Sequence, residues 1–184
     1  MRVAFFGEDG QGNILCESRT IGLRILDLAT GQIISIPQTQ KLKGNAKISW
    51  SPDGKFLAAQ VGGWGPPEHI VVVDVVSGDQ RVIANGINPS WSPNGEWIAY
   101  TDESERRCIV IHPDGTGVKE LDFFARNSVQ GMVWSPDGNR LLINDSYGML
   151  ESKNEVVEFD LASSKVVKKF GHSMYAFGWA LAKH

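Results

Sequence analysis

The sequence predicts an all-β fold built from repeated units of four antiparallel strands. The first observation is a five-residue motif, Trp-Ser-Pro-Asp/Asn-Gly, whose three copies begin at positions 50, 91 and 134, so that 41 and 43 residues separate them. The second is that the intervening segments alternate apolar and polar residues or are β-branched runs, and none has the helical period. Strand-forming units that repeat every ~40–45 residues are typical of β-propeller blades.

The unit that contains the first copy shows how one blade is built. A short strand over 47–50 ends at the motif, where proline presets φ for a turn and glycine accepts the positive φ that closes it. Strands over 55–61, 69–75 and 80–84 follow, separated by a loop rich in glycine and proline and by the turn Ser77-Gly78-Asp79. Four antiparallel strands in succession form one blade.

The same order divides the chain into blades at approximately 1–44, 45–87, 88–129 and 130–172. In the first blade the segment Phe6-Gly7-Glu8-Asp9-Gly10 takes the place of the tryptophan motif, and 14–16 supplies the second strand. Trp179 follows the third motif tryptophan by 45 residues, which predicts a further first strand within 173–184. We therefore expect a β-propeller of four full blades plus one extra C-terminal strand.

An incomplete ring would expose the apolar faces of its first and last blades, and such patches mark interfaces. We expect a homodimer in which two chains complete an eight-bladed ring. The competing solution is a compact four-bladed ring closed by the last strand.

The motif copies, together with the segment 109–121, resemble the repeats of the TolB-type, WD-repeat-like propeller family. The resemblance spans nearly the whole chain. It implies the propeller fold, with relatives that include periplasmic binding scaffolds and the propeller domains of serine peptidases. Members usually have six or seven blades, and four is a departure from that pattern.

Composition narrows the classes of partner. The net charge is −3, from 18 basic and 21 acidic residues, which argues against nucleic acid as the main partner. No apolar run reaches the ~18 residues of a membrane span. The N-terminal apolar stretch is too short for a secretory signal, so we expect a cytoplasmic protein if the chain is complete. If a signal was removed, the resemblance implies a periplasmic one.

The loops predict where a partner binds. In each blade, the end that carries the motif turns, here called the turn face, is nearly the same in every copy. The opposite end carries the second-to-third strand loops and the inter-blade loops and differs between copies; we call it the loop face. Variable loops on a rigid scaffold commonly carry binding residues. The candidates on the loop face are Trp64, His69, Glu105, Arg106, Arg126, Asn127, Tyr147 and His172.

Trp64 is the most distinctive of these candidates because it stands between glycines. It is either an aromatic anchor for a partner or a side chain that folds back over its own blade. No catalytic residue, metal site or cofactor is predicted, since the histidines lie far apart and no loop spaces acids as calcium requires.

The sequence thus favours a non-catalytic scaffold that binds a protein or peptide through the loop face. Two alternatives remain open. One is a glycosidase or lyase that uses acids of this face, Asp102, Glu105, Asp145 or Glu151. The other is a fragment of a larger propeller, such as the scaffold domain of a peptidase.

Overall fold

The computed structural model describes residues 1–6, 22–40, 42, 44–62, 67–102, 106–126, 128–147, 153–171 and 176. Within these ranges the chain folds into fifteen β-strands joined by turns, and no helix is present. The all-β prediction is confirmed. It follows that none of the described segments is a helix able to cross a membrane.

The strands form one three-stranded and three four-stranded antiparallel sheets, each in chain order. The first sheet contains β1 (Arg2–Phe6), β2 (Leu23–Asp27) and β3 (Ile33–Ser35). The second contains β4 (Gly44–Trp50), β5 (Phe56–Val61), β6 (His69–Asp74) and β7 (Gln80–Asn85). The third contains β8 (Ile87–Trp91), β9 (Ile98–Asp102), β10 (Arg107–Ile111) and β11 (Lys119–Phe124). The fourth contains β12 (Ser128–Trp134), β13 (Arg140–Tyr147), β14 (Lys153–Asp160) and β15 (Lys165–Phe170).

The first sheet differs from the prediction in the place of its first strand. Asp27 accepts a hydrogen bond from the amide of Ala29 at the end of β2, as Asp74 does from Val76 at the end of β6. This shared turn identifies β2 as a third blade strand. Because β1 pairs directly with β2, it occupies the second place and not the first. The assignment of Phe6 to the place of the motif tryptophan was therefore wrong, and the predicted strand at 14–16 lies outside the described residues.

Consecutive sheets pack face to face through three apolar clusters. The first joins the first and second sheets through residues such as Leu23, Ile25 and Leu57. The second cluster joins the second and third sheets around Trp91, and the third joins the third and fourth sheets around Trp134. The motif tryptophans end the innermost strands β4, β8 and β12, so that each stands at one junction between blades.

The turn face is held by short polar contacts within each motif. Ser51 donates its hydroxyl to Asp53 at 2.6 Å and accepts the amide of Phe56 at 2.9 Å. The bond from the Ser51 hydroxyl, followed by one from the Lys55 amide, lowers the pKa of the Asp53 carboxyl. The aspartates of this motif are therefore turn-forming residues, because their carboxylates are already occupied by their own turns.

Candidate functional site

A cavity of about 530 Å³ opens at the loop face, where the second, third and fourth sheets meet. Each sheet contributes the strand ends that point toward this face. The lining residues are Lys47, Gln60, Glu68, Ile87, Asn88, Thr101, Arg106, Ser128, Val129 and Gln130. Eight of these ten side chains are polar or charged, so the cavity suits a ligand that presents hydrogen-bonding groups.

One wall of the cavity is a hydrogen-bonded chain that crosses three blades. The Gln60 amide donates to the Glu68 carboxylate, and the backbone amide of Asn88 donates to Gln60 Oε1 at 3.0 Å. Asn88 Nδ2 then donates to the carbonyl of Val129 at 3.1 Å. Asn88 has φ of 58°, a left-handed conformation that asparagine tolerates better than most residues. The wall is therefore preformed and needs no ligand to order it.

Two positively charged side chains lie at the rim of the cavity. Lys47 Nζ donates to the carbonyl of Gln130 at 3.2 Å, and partial burial lowers the pKa of this amine. Arg106 donates from its guanidinium to the carbonyl of Arg126 at 2.9 Å. Neutral carbonyls accept these bonds, so the two positive charges are not cancelled by them. Since Glu68 is the one acid of the lining, the described lining carries a net charge of +1.

Thr101 contributes an unsatisfied polar group to the same cavity. Its side chain is 2% exposed, and among the described residues its hydroxyl is the one buried side-chain polar atom with no hydrogen-bond partner. A buried hydroxyl without a partner costs about 1–3 kcal/mol. A ligand that supplies an acceptor here would recover part of that cost.

The predicted binding residues do not all lie at the cavity. Arg106 lines the cavity, and Arg126 lies beside it through the carbonyl that Arg106 contacts. His69 lies apart from the lining, where its Nδ1 is 2.8 Å from Asn85 Oδ1 between β6 and β7. The backbone of Tyr147 ends β13, and its side chain is not described. Trp64, Glu105, Asn127 and His172 lie outside the described residues.

The acids considered for catalysis are not brought together in the described part of the cavity. Asp145 is 2% exposed and accepts the backbone amide of Arg126 at 3.2 Å, and burial raises the pKa of its carboxyl. Asp102 ends β9 and is not among the lining residues. Glu105 and Glu151 lie outside the described residues. In the described ranges, no group of three or more His, Cys, Asp or Glu side chains could hold a metal ion.

Sequence reasoning missed most of the lining, although one signal was available. Gln60, Thr101 and Asn144 each lie ten residues after a motif tryptophan, and each is buried in the second strand of its blade. A polar residue that recurs at the same buried position indicates an inter-blade contact.

The comparisons with known proteins agree with this architecture. No protein-family model matches the chain. An uncharacterized peptidase, YuxL of Bacillus subtilis, is 30% identical over 129 residues, which are 68% of this chain and 19% of the peptidase. The WD repeat-containing protein AAC3 of Dictyostelium discoideum is 27% identical over 128 residues, 64% of this chain and 26% of that protein. The chain therefore spans about a quarter or less of these relatives.

Solved structures give the same architecture. TolB from Acinetobacter baumannii superposes with a TM-score of 0.63 at 21% identity, over 83% of this chain and 38% of that one. The chain has a TolB-type β-propeller fold. A putative TolB from Agrobacterium tumefaciens matches this propeller with a TM-score of 0.64 at 18% identity, over 83% of this chain and 58% of that one. An oligogalacturonate lyase in complex with manganese matches with a TM-score of 0.62 at 20% identity, over 81% of this chain and 48% of the lyase. At these identities the likeness extends to the fold alone.

Proposed function

We propose that this chain is a non-catalytic propeller scaffold that binds a protein or peptide partner through its loop face. The observation that carries the proposal is the cavity of about 530 Å³, which opens on this face across three blades. The wall that Gln60 and Asn88 form is hydrogen-bonded in the absence of a partner, and preorganisation of this kind lowers the entropic cost of binding. Polar groups at the rim and apolar positions at Ile87 and Val129 match the mixed surface of a peptide.

Binding fits the chemistry of the described residues better than hydrolysis or elimination. Glycoside hydrolysis uses two carboxyl groups that face one another across the substrate. The described lining offers Glu68, whose carboxylate is held by Gln60. Asp145 is buried against the backbone of Arg126 and is not part of the lining.

The proposal is tested by selecting peptides from a random display library on the purified chain. Gln130 lines the cavity and its side chain is exposed, so Gln130→Trp should fill the mouth without disturbing the core. The matched control is Val118→Trp on the turn face, where Val118 is 63% exposed. We expect selected peptides to lose at least tenfold in affinity on Gln130→Trp and to retain it on Val118→Trp. Equal binding to both variants would place the site elsewhere.

A second candidate is that the chain forms part of the propeller of a larger, peptidase-like protein. Its support is the 30% identity with a peptidase of which this chain spans 19%. In that case the loop face would receive peptides on their way to a catalytic domain. On a denaturing gel of the source cells, an antibody against the chain should then detect a polypeptide far larger than 20.2 kDa. A polypeptide of about 20 kDa on that gel would reject this candidate.

We also propose that a second copy of the chain packs against the first sheet. In the described residues, packing runs from each sheet to the next, and no comparable packing joins β1–β3 to β12–β15. Leu23 and Ile25 face the second sheet, so alternation puts Leu26 and its register partner Ile33 on the other side. Ile33 is 57% exposed, which supports an interface there.

A further inference from the structure

The residue ten positions after a motif tryptophan makes the same kind of contact in two of the three blades that carry the motif. In the second sheet it is Gln60, and in the fourth it is Asn144. Gln60 Oε1 accepts the backbone amide of Asn88, and Asn144 Oδ1 accepts the backbone amide of Ala176 at 2.8 Å. Asn88 lies three residues before Trp91, as Ala176 lies three before Trp179. We call this carboxamide contact, from one blade to the backbone at the start of the next, the inter-blade clamp.

The clamp is a two-point contact in its complete form. Asn144 accepts from the amide of Ala176 and also donates to the carbonyl of the same residue at 3.0 Å. A side-chain carboxamide thus binds the backbone as another strand would. Gln60 forms the accepting half toward Asn88 and uses its amide nitrogen to hold Glu68. Both residues are buried, at 5% and 3% exposure, so the clamp is part of the core.

The third sheet lacks the clamp, because Thr101 stands at this position. Its side chain is shorter than a carboxamide side chain and its buried hydroxyl has no partner. The backbone position that a clamp would reach, Gly131 in β12, lies at a register shift, as the clamped Asn88 does in β8. The lining of the cavity includes both Thr101 and Val129, so the cavity reaches the junction that lacks the clamp, and the Gln60–Asn88 clamp of the preceding junction forms its wall.

The positive charges at the rim of the cavity favour a carboxylate in the place where the clamp of the third sheet is missing. A carboxylate has the planar, two-oxygen shape of a carboxamide but donates no hydrogen bonds. Lys47 and Arg106 line the cavity, and each already donates one hydrogen bond to a neutral carbonyl while keeping further N–H donors. Hydrogen bonds from charged donors to a carboxylate are about twice as strong as neutral ones.

We propose that the cavity binds a carboxylate of the partner, which takes the place of the missing clamp between the third and fourth blades. One oxygen accepts the hydroxyl of Thr101, and the charge is balanced by Lys47 and Arg106. The assignment rests on the proposed function, since it names the group that a bound peptide would insert. The carboxylate can come from an aspartate or glutamate side chain or from the carboxyl terminus of the peptide.

The test uses the chain labelled with ¹⁵N and three short peptides as probes. These are acetyl-Gly-Gly-Asp-Gly-Gly-amide, the same peptide with asparagine, and acetyl-pentaglycine with a free carboxyl terminus. We expect the aspartate peptide to shift the amide signals of Asn88, Thr101 and Val129, and to bind at least tenfold more tightly than the asparagine peptide. Tighter binding of the free-terminus peptide than of the aspartate peptide would assign the carboxylate to a chain end, and the reverse order would assign it to a side chain. Equal binding of these two peptides, both above the asparagine peptide, would show that the cavity accepts either source.

Three variants and one control separate the parts of the proposal. Thr101→Gln restores the clamp and should abolish binding of the acidic peptide while leaving the melting temperature equal or higher. Thr101→Val removes only the hydroxyl and should weaken binding several-fold in a folded protein. Lys47→Met should reduce the preference for aspartate over asparagine, whereas Lys55→Met, on the exposed motif turn, should not.

The outcomes distinguish this inference from the proposed function. Equal binding of all three peptides, or full binding by Thr101→Gln, would overturn the carboxylate assignment and leave peptide binding intact. Absence of signal shifts with every probe would also overturn it. Failure of the library selection described above would count against the proposed function itself.

Discussion

Replacing Trp91 by alanine tests whether the motif tryptophans hold neighbouring blades together. Trp91 is 8% exposed and packs in the cluster between the second and third sheets, with its ring 6.5 Å from that of Phe56. Truncating a buried tryptophan costs about 3–5 kcal/mol, and a stacked aromatic pair adds about 0.5–1.5 kcal/mol. The indole bond to the carbonyl of Gly95 is 3.3 Å long on an accessible turn, so water can replace it. We expect a loss of about 4–5 kcal/mol in the free energy of unfolding.

Urea melts followed by circular dichroism measure this loss. With a denaturant slope of about 2 kcal/mol per molar, the midpoint should fall by roughly 2 M. Trp91→Phe keeps the stack and should lose about 1–2 kcal/mol, which preserves the test if Trp91→Ala does not fold. Val118→Ala, at a site 63% exposed, should change stability by less than about 0.5 kcal/mol. A loss below about 1 kcal/mol for Trp91→Ala would refute the packing argument.

Three further predictions address the turns, the thiol and the assembly. The pKa values of Asp53 and Asp137 are lowered, first by the serine hydroxyl of each turn, so their stabilisation is present above about pH 3.8 and is lost as the pH falls through the lowered folded values. Asn at both positions should cost little at pH 7, because Asn94 of the second motif copy makes the same turn bonds, and should flatten the fall in melting temperature below about pH 3.8; an unchanged acid slope would contradict this. Cys108 is fully buried, and burial raises the pKa of its thiol. In a Cys16→Ser variant, a disulfide reagent at pH 8 should therefore label Cys108 at least 100-fold more slowly in the folded chain than in urea. Rapid labelling of the folded chain would contradict the burial. Light scattering should give twice the chain mass of 20.2 kDa, and Ile33→Asp should halve it; a single-chain mass at all concentrations would exclude the dimer.

The fold could be predicted from the sequence because the motif repeats. Proline and glycine at the motif turns restrict the backbone locally, and alternation within each strand reports which side faces a neighbouring blade. Both signals act over a few residues, so the strands of the second, third and fourth sheets could be placed by inspection. The first sheet could not, because the identity of β1 depends on its pairing with β2 across 7–21, and strand pairing is not a local property.

The sequence indicated the face that carries the candidate site, but of the residues it named only Arg106 is in the described lining of the cavity. Arg106 was anticipated because charged loop residues are visible in a sequence. Gln60 and Thr101 lie in strands, where a polar side chain gives no sign of a binding role unless its surroundings are known. The role of Gln60 depends on Asn88, which is 28 residues away and contacts it across a blade junction.

The motif turns have a consequence for the order in which the chain folds. Every bond of the Ser51 turn closes within five residues, and the Ser92 and Ser135 turns repeat it. Loops this short close within about 10–100 ns, long before contacts between blades can form. Three hairpins of equal design can therefore start independently along one chain, which keeps the average sequence separation of early contacts low and favours rapid folding for an all-β protein. Blade junctions such as the one around Trp91 would then form last, and the folding rate should depend more on turn residues than on the tryptophans between blades.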